Sequence, residues 1–397
     1  MPLADYMRLA LTHPQYGYYN THDPIGAAGD FITAPEISQM FGELIGVWMV
    51  AVWQQMGSPE NVRVIELGPG HGTLIIDALR AAKIAKDFLA AIVLHFVETS
   101  PKLKDQQQRR LEPLGMPMLW HTALSEVPAG PSIIVANEFI DALPVHQAIK
   151  QADGWHERVI DVSPQGNLVL SAAREPLRHF ETTLPRQFRQ PPAGSIYEWR
   201  SDTIALEIGR RVRNEGAALI IDYGHTRQGL GDSLQAVAGH SFSDPLRTPG
   251  QADLTAHVDF MAFAQSAEII GARIHGPVSQ RDFLQRLGIE QRAAALKARA
   301  TREKGDEIDR ALSRLTASGS DSMGELFKVL AITDPKLGPI HTEYPEIQLA
   351  WEADSWREYR FFRWFASGTF TISYGRYFQN DGFGDAHVLQ TGYTMPY

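Results

Sequence analysis

Apolar positions along the chain change period several times, and each change predicts an element. Residues 3–10 carry a helical period that stops at His13 and Pro14, with Gly17 beyond, because proline and glycine both oppose helix continuation. A loop punctuated by glycine and proline follows over 24–35. From 36 to 55, Ile37, Met40, Phe41, Leu44, Ile45, Trp48, Met49 and Val52 recur at helical spacing, which predicts one long, mostly buried helix leading to Gly57. Short apolar runs then alternate with amphipathic stretches: a strand over 62–67, a helix over 72–85, a strand over 92–97, a helix over 101–111 and a strand over 132–136. That order predicts βαβ units and a parallel sheet.

Between 144 and about 170 the period drops to two, with turns at Ala152-Asp153-Gly154 and Pro164-Gln165-Gly166, so antiparallel strands are inserted there. The wound pattern resumes with a helix over 202–215, a strand over 217–221 running into Asp222-Tyr223-Gly224, a helix over 258–270 and a strand over 273–278. Residues 290–314, rich in alanine and charge, read as helical. The fold class is therefore α/β, a doubly wound Rossmann-like sheet with antiparallel and helical insertions. After Leu337 aromatics crowd together (Trp351, Trp356, Tyr359, Phe361, Phe362, Trp364, Phe365, Phe370, Tyr374, Tyr377, Phe378), and no role is assigned to them.

Composition narrows the chemistry. A chain of 397 residues, 44% hydrophobic, can bury a large core. No apolar run is long enough to span a bilayer; the run at 47–52 contains Trp48 and is followed closely by Gln54. The first residues, with Asp5 and Arg8, match neither a secretory signal nor a transit peptide. With no cysteine there is no thiolate nucleophile, disulfide framework or cysteine-based zinc site, and among the scattered histidines His13, His71 and His121 lack ligand spacing, so no metal is expected. The net charge of −9 disfavours non-specific nucleic-acid binding and suits a cationic substrate such as an arginine or lysine side chain.

The sharpest motif is Glu66-Leu67-Gly68-Pro69-Gly70-His71-Gly72, where an apolar strand enters a glycine-rich turn and then a helix. Glycines allow positive φ and close approach of a ligand, and the helix start offers free N–H groups. The Gly-x-Gly-x-Gly spacing departs from the dinucleotide fingerprint and disfavours a nicotinamide-dependent oxidoreductase, while Glu66 would repel a pyrophosphate. Such a carboxylate suits the cationic amino-acid end of S-adenosyl-L-methionine. Glu98, at the end of the next strand, is placed to accept bonds from ribose hydroxyls, although a lone Glu at a strand end is more often a cap. Asn137, Glu138 and Asp141 leave the strand over 132–136 at the carboxyl edge of the sheet, where a reacting group is held. Glu138 and Asp141 are candidates to clamp a guanidinium and remove its proton, with Asn137 beside them. For Asp141 alone a turn or helix cap is an equally good reading. Tyr223 and His225 follow the later strand and are further pocket candidates, while Asp253 and His257 are better explained by a helix cap than by metal ligation. The stretch 29–38, with Asp30, Thr33 and Glu36, is a constrained loop on the side where a substrate enters.

These residues resemble the MidA-like, mitochondrial complex I assembly-factor group of class I methyltransferases. The resemblance rests on Tyr6-Met7 with His13-Pro14 and Gly17-Tyr18-Tyr19, on Gly29-Asp30-Phe31-Ile32-Thr33-Ala34-Pro35-Glu36-Ile37-Ser38 with Phe41-Gly42-Glu43, and on the glycine-rich turn. It continues through Val97-Glu98-Thr99-Ser100-Pro101, Asn137-Glu138-Phe139 with Asp141-Ala142-Leu143-Pro144, Asp222-Tyr223-Gly224 and Asp253-Leu254-Thr255-Ala256-His257-Val258-Asp259-Phe260. It runs to about Leu337; the glycine-rich turn is common to many methyltransferases, whereas the first, second and fifth groups are specific. The resemblance implies an N-terminal helical cap and substrate-side loop over 1–57, a methyltransferase core over 58–289 with the inserted strands, a helical part over 290–339 completing the domain, and a tail over 340–397. It also implies an S-adenosyl-L-methionine-dependent protein arginine N-methyltransferase acting on the 49-kDa-type subunit of respiratory complex I (NADH dehydrogenase) during assembly. Its compartment would be the cytoplasm in a bacterium or the mitochondrial matrix for a processed eukaryotic form. The chain starts almost at Tyr6-Met7, so an upstream piece is expected, and its tail departs from the family's usual short ending. The competing reading is a non-catalytic assembly factor that binds its client through the same fold.

Overall fold

Strands buried on both faces need helices on both sides, and the apolar runs found in the sequence meet that requirement. The computed structural model describes residues 1–22, 32–239 and 241–338, together with the backbone of two strands at 369–377 and 386–394 that pair antiparallel. The aromatics of the tail therefore lie outside what is described of side chains. The first four strands, β1 (Val62–Leu67), β2 (Ile92–Val97), β3 (Met118–His121) and β4 (Ser132–Asn137), are parallel and lie in the order β3-β2-β1-β4. The inserted strands β5 (Val145–Gln151), β6 (Gly154–Val162), β7 (Leu168–Ala172) and β8 (Ile196–Arg200) form a separate antiparallel sheet.

The wound sheet resumes with β9 (Gly216–His225), parallel to β4. Short strands β10 (Gln235–Ala238), β11 (Ser241–Ser243) and β12 (Asp253–Thr255) make a small sheet of their own, and β13 (Val258–Asp259) extends the edge of β9. The far edge is built by β14 (Arg273–Ser279) and β15 (Phe327–Thr333), giving the path β3-β2-β1-β4-β9-β15-β14 with β15 antiparallel to both neighbours. Alternate side chains feed opposite cores. Val64, Ile133 and Leu219 join the cluster that contains the helix Gln39–Gln55, whereas Ile65, Ile134 and Ile220 join the cluster under the helices Thr203–Glu215 and Phe260–Ile269.

Several elements differ from the expected ones. The helix over 36–55 is broken at Ser38, whose extended backbone and hydroxyl, accepting from Met40 N–H at 3.2 Å, start a second helix at Gln39. Residues 72–85 give the helix Thr73–Ala82, with a separate short helix at Lys86–Ala91. The helix over 258–270 starts only at Phe260, because the Asp259 carboxylate caps it through Met261 and Ala262 N–H. Residues 290–314 split into Ile289–Lys297 and Arg302–Thr316, the latter capped by Thr301. β15 is an element the periodicity did not single out, although it sits between β9 and β14. Among the described residues no helix is long and apolar enough to cross a membrane.

The helices Gln39–Gln55 and Thr73–Ala82 touch so closely that a Cβ on Gly46 would fall 2.1 Å from the Ala78 carbonyl oxygen. Gly46→Ala should therefore cost about 1–3 kcal/mol, the usual price of over-filling a packed core. Gly305→Ala, in the helix Arg302–Thr316 with open space around it, should instead stabilise by up to about 1 kcal/mol. Urea titrations of the two variants test the contrast; a neutral Gly46→Ala would contradict the helix contact.

Candidate active site

The candidates at and just after the strand ends, Glu66 with the glycine-rich turn, Glu98, Asn137, Glu138 and Asp141, lie at the carboxyl edge of the parallel strands, the edge where open α/β sheets bind ligands. β1 ends at Leu67, and the chain turns through Gly68 and Gly72 at φ of 61° and 75° before the helix Thr73–Ala82. Side chains are excluded there on two counts. A Cβ on Gly68 would fall 2.7 Å from the Phe139 ring and one on Gly72 would fall 3.1 Å from Leu111, so the turn lies flush against its supports. The cleft beside it is bordered by Thr33, Glu36, Glu66, Gly68, Gly70, Asn137 and Glu138, among others.

Two buried oxygens in this cleft lack a partner. Glu66 is 5% exposed, its Oε2 makes no hydrogen bond among the described residues, and burial pushes its carboxyl up to about 8. The Asn137 Oδ1 is likewise unpaired. Unpaired buried acceptors are costly unless a ligand satisfies them, and a cationic group does so best.

Glu98 sits one strand away and is held from two sides. Ser100 N–H donates to its Oε1 at 2.8 Å and Gln107 Nε2 to its Oε2 at 3.0 Å, while burial raises its pKa. Gln107, fully buried, also donates to the Gly70 carbonyl at 2.8 Å and accepts from Trp120 Nε1 at 2.9 Å. It ties the glycine-rich turn to Glu98, a role the sequence did not reveal because it sits in the middle of three consecutive glutamines. Ser100 extends the link by donating its hydroxyl to the Tyr19 carbonyl, which seats the N-terminal segment on the same loop.

Glu138 takes a left-handed backbone, φ 51°, uncommon for a non-glycine residue. Its Oε1 accepts from Ala34 N–H at 3.1 Å and Asn137 Nδ2 at 3.2 Å, and the protein around it raises its pKa to about 7. The conformation is enforced from β9, where the fully buried Asp222 accepts N–H bonds from Phe139, Ile140 and Asp141 at 3.2, 2.8 and 3.2 Å. Asp141 is placed differently from Glu138. It is not among the residues that border the cleft; its carboxylate accepts from Ala142 N–H at 2.8 Å and lies beside the Tyr223 hydroxyl, with Arg200 close by. Arg200, also absent from the sequence candidates, donates to the carbonyls of Asp141, Leu143 and His257 and so fixes both loops.

The substrate-side loop splits. Asp30 lies outside the described residues; Thr33 borders the cleft; Glu36 is drawn to the glycine-rich turn, accepting from the Thr73 hydroxyl at 2.5 Å with His71 Nδ1 4.0 Å away. Asp253 accepts the Tyr19 hydroxyl at 2.9 Å, and no group of His, Asp or Glu among the described residues is arranged to hold a metal ion.

Fold and cleft together define a wound α/β protein whose nucleotide-type site is acidic where a dinucleotide enzyme needs room for phosphate. A family model described as S-adenosyl-L-methionine-dependent methyltransferase matches residues 44–278. The protein arginine methyltransferase NDUFAF7 homolog, mitochondrial, of Drosophila melanogaster is 39% identical over 87% of this chain and 84% of its own. The protein arginine methyltransferase NDUFAF7, mitochondrial, of Homo sapiens is 38% identical over 74% of this chain and 71% of its own. Among solved structures, a COG1565 superfamily member from Burkholderia thailandensis bound to S-adenosyl-homocysteine matches with a TM-score of 0.74 and 28% identity, covering 85% of this chain and 89% of that one. The chain belongs to the S-adenosyl-L-methionine-dependent methyltransferase family. The expected fold class, enzyme class and methyl donor all agree with these matches.

The raised Glu66 pKa has a definite sign in stability. Its folded value of about 8 exceeds the ordinary carboxyl value of 4.5, so folding favours the protonated form and stability falls as pH rises from 4.5 to about 8. Glu66→Gln removes that loss. Its melting temperature relative to the parent should climb between pH 5 and pH 8 and then level off, by calorimetry in the absence of ligand; a pH-independent difference would show Glu66 to be ionised throughout.

Proposed function

We propose that this chain methylates an arginine side chain of a protein client, with Glu138 as the residue that receives the guanidinium. When bound, S-adenosyl-L-methionine supplies an electrophilic methyl group on a sulfonium. The residues around the cleft fit that donor: unpaired Glu66 suits its cationic amino-acid end, and the turn at Gly68, Gly70 and Gly72 admits it at close range. Glu98, which does not border the cleft but is held one strand away by Gln107 and Ser100, is the proposed partner of the ribose hydroxyls.

The observation that carries the reading is the Glu138 carboxylate. It borders the same cleft as the turn, is oriented by Ala34 and Asn137, and has a pKa of about 7. Held there, it pairs with a guanidinium and fixes one nitrogen in line with the methyl carbon, so alignment supplies most of the rate. The bound donor would supply the methyl group and retain the C–S electron pair on sulfur, while Glu138 holds the nitrogen that accepts it. The surplus proton leaves the guanidinium for Glu138, whose pKa near neutrality suits an acceptor. Asn137 holds the carboxylate, and Asp141, engaged with Tyr223, supports the loop from behind.

Two relatives, from fly and human, are named protein arginine methyltransferases, which supports the choice of acceptor. The client suggested by the family resemblance is the 49-kDa-type subunit of respiratory complex I during assembly. Both relatives carry "mitochondrial" in their names, which supports a mitochondrial compartment in a eukaryote; the proposed location there is the matrix, and in a bacterium the cytoplasm. A non-catalytic scaffold has no need to keep Glu66 unpaired or Glu138 in a left-handed conformation, since both cost stability.

Glu138→Gln should abolish methyl transfer to the client subunit while leaving the affinity for S-adenosyl-L-methionine within about twofold, since the group acts on the acceptor. Radiolabel transfer and titration calorimetry read the two quantities; lost donor binding would move Glu138 into the cofactor site. In the parent, kcat/KM should rise with pH through about 7 and then level off, because the unprotonated carboxylate is the active form. A profile flat from pH 6 to 9 would exclude Glu138 as the proton acceptor.

A further inference from the structure

A second opening lies on the same edge of the sheet, two strands from Glu138. It is a broad, open groove between the exit of β9 and the start of β15, bordered by Gly224, His225, Arg227, Gly319, Glu325 and Lys328, among others. Its floor is tight, since a Cβ on Gly224 would fall 2.1 Å from the Val258 carbonyl oxygen of the paired strand β13. Its charge runs against that of the chain. Arg227 is exposed, Lys328 is half-buried with its Nζ donating to the Glu325 backbone carbonyl, and the His225 Nδ1 has no hydrogen-bond partner among the described residues. Glu325 is the single carboxylate among the bordering residues. Arg314, exposed on the helix Arg302–Thr316, lies close enough to Glu138 to lower its pKa, so positive charge continues from the groove toward the cleft. In a protein of net charge −9 this is a local reversal of sign.

We infer that the groove formed by His225, Arg227 and Lys328 binds acidic side chains of the client that flank the target arginine. The inference rests on the proposed arginine methylation and adds a sequence preference to it. Position sets the range. Glu138 follows β4, His225 ends β9 and Lys328 lies near the start of β15, and these strands are adjacent, so at about 4.8 Å per strand the groove extends from about 5 Å to about 10 Å across the sheet from Glu138. An extended peptide covers that in about three residues. The two sites are opposite in sign, acidic for the arginine and basic for its neighbours. A client with an acid within about three positions of the arginine is therefore favoured in the right register and disfavoured when slipped.

The test uses the full chain with S-adenosyl-homocysteine and fluorescein-labelled peptides. Each carries one central arginine, and they differ only in flanks of Asp and Glu, of Asn and Gln, or of Lys on both sides. By anisotropy the acidic peptide should bind about tenfold more tightly than the amide peptide, the effect of one or two close charge pairs at a half-exposed interface. Arg227→Glu should bring the two to near parity and improve binding of the lysine peptide; Lys328→Gln should give part of the same loss. Equal binding of the acidic and amide peptides by the parent chain, or an acidic preference that survives both substitutions, overturns the groove. Methyl transfer to the same peptides separates the two ideas. Transfer without flank preference sinks the groove and leaves arginine methylation standing. An acidic preference that needs Arg227, with no transfer to any peptide, sinks arginine methylation and leaves the groove as an acid-binding surface.

Discussion

One buried carboxylate, Asp222, determines where the acceptor side of the cleft lies. Its two oxygens collect the N–H groups of Phe139, Ile140, Asp141 and Tyr223, which would otherwise be buried donors without partners at the end of a sheet. Burial pushes its pKa well up and Asp141 adds to this, while the N–H donors and Arg200 oppose it. The consequence is geometric. With three successive N–H groups drawn to one oxygen, the chain after Asn137 must turn sharply, and Glu138 is left in the left-handed region facing the cleft. Phe139, the next residue, is carried against Gly68, so the same clamp also supports the glycine-rich turn.

The donor side is built on the same plan with a different residue. Gln107 spends its donor on Gly70 and Glu98 and its acceptor on Trp120, so three elements of the sheet edge share one fully buried amide. The two hubs are complementary. Asp222 gathers N–H groups on the β4–β9 side, Gln107 joins turn and carboxylate on the β1–β2 side, and the cleft opens between them. Both hubs are satisfied internally, whereas Glu66 and Asn137, between them, each keep an oxygen without a partner among the described residues. Buried polar groups tend to be paired, and the proposed donor site rests on these two because they border the cleft.

Much of this arrangement was legible in the sequence, and the illegible parts have physical reasons. The glycine spacing after an apolar strand revealed the turn, because only glycine tolerates the φ values and the contacts seen at Gly68 and Gly72. The strand and helix alternation revealed the wound sheet. β15 escaped notice because a short apolar run after a helical stretch has no period of its own, and only its antiparallel pairing to β9 and β14 makes it a strand. The break at Ser38 was hidden by an apolar stripe that continues across it, while the capping hydroxyl interrupts the backbone. Arg200, Gln107 and the separation of Asp141 from Glu138 depend on long-range contacts between loops, and local pattern carries no trace of them.

The two titrating carboxylates of the cleft suggest how binding and catalysis share one electrostatic device. Glu66, with a pKa of about 8, is mostly protonated at neutral pH, and Glu138, at about 7, is near its midpoint. A cleft that held both charges permanently would pay desolvation for two anions; in protonated form it is close to neutral and can be buried. Under the proposed roles, the cationic end of the donor would restore the charge of Glu66 and a guanidinium that of Glu138, each expelling a proton, with Glu138 then free to act as base. A protonated resting cleft is thus what burial favours, and an ionised one what the proposed cationic ligands would favour.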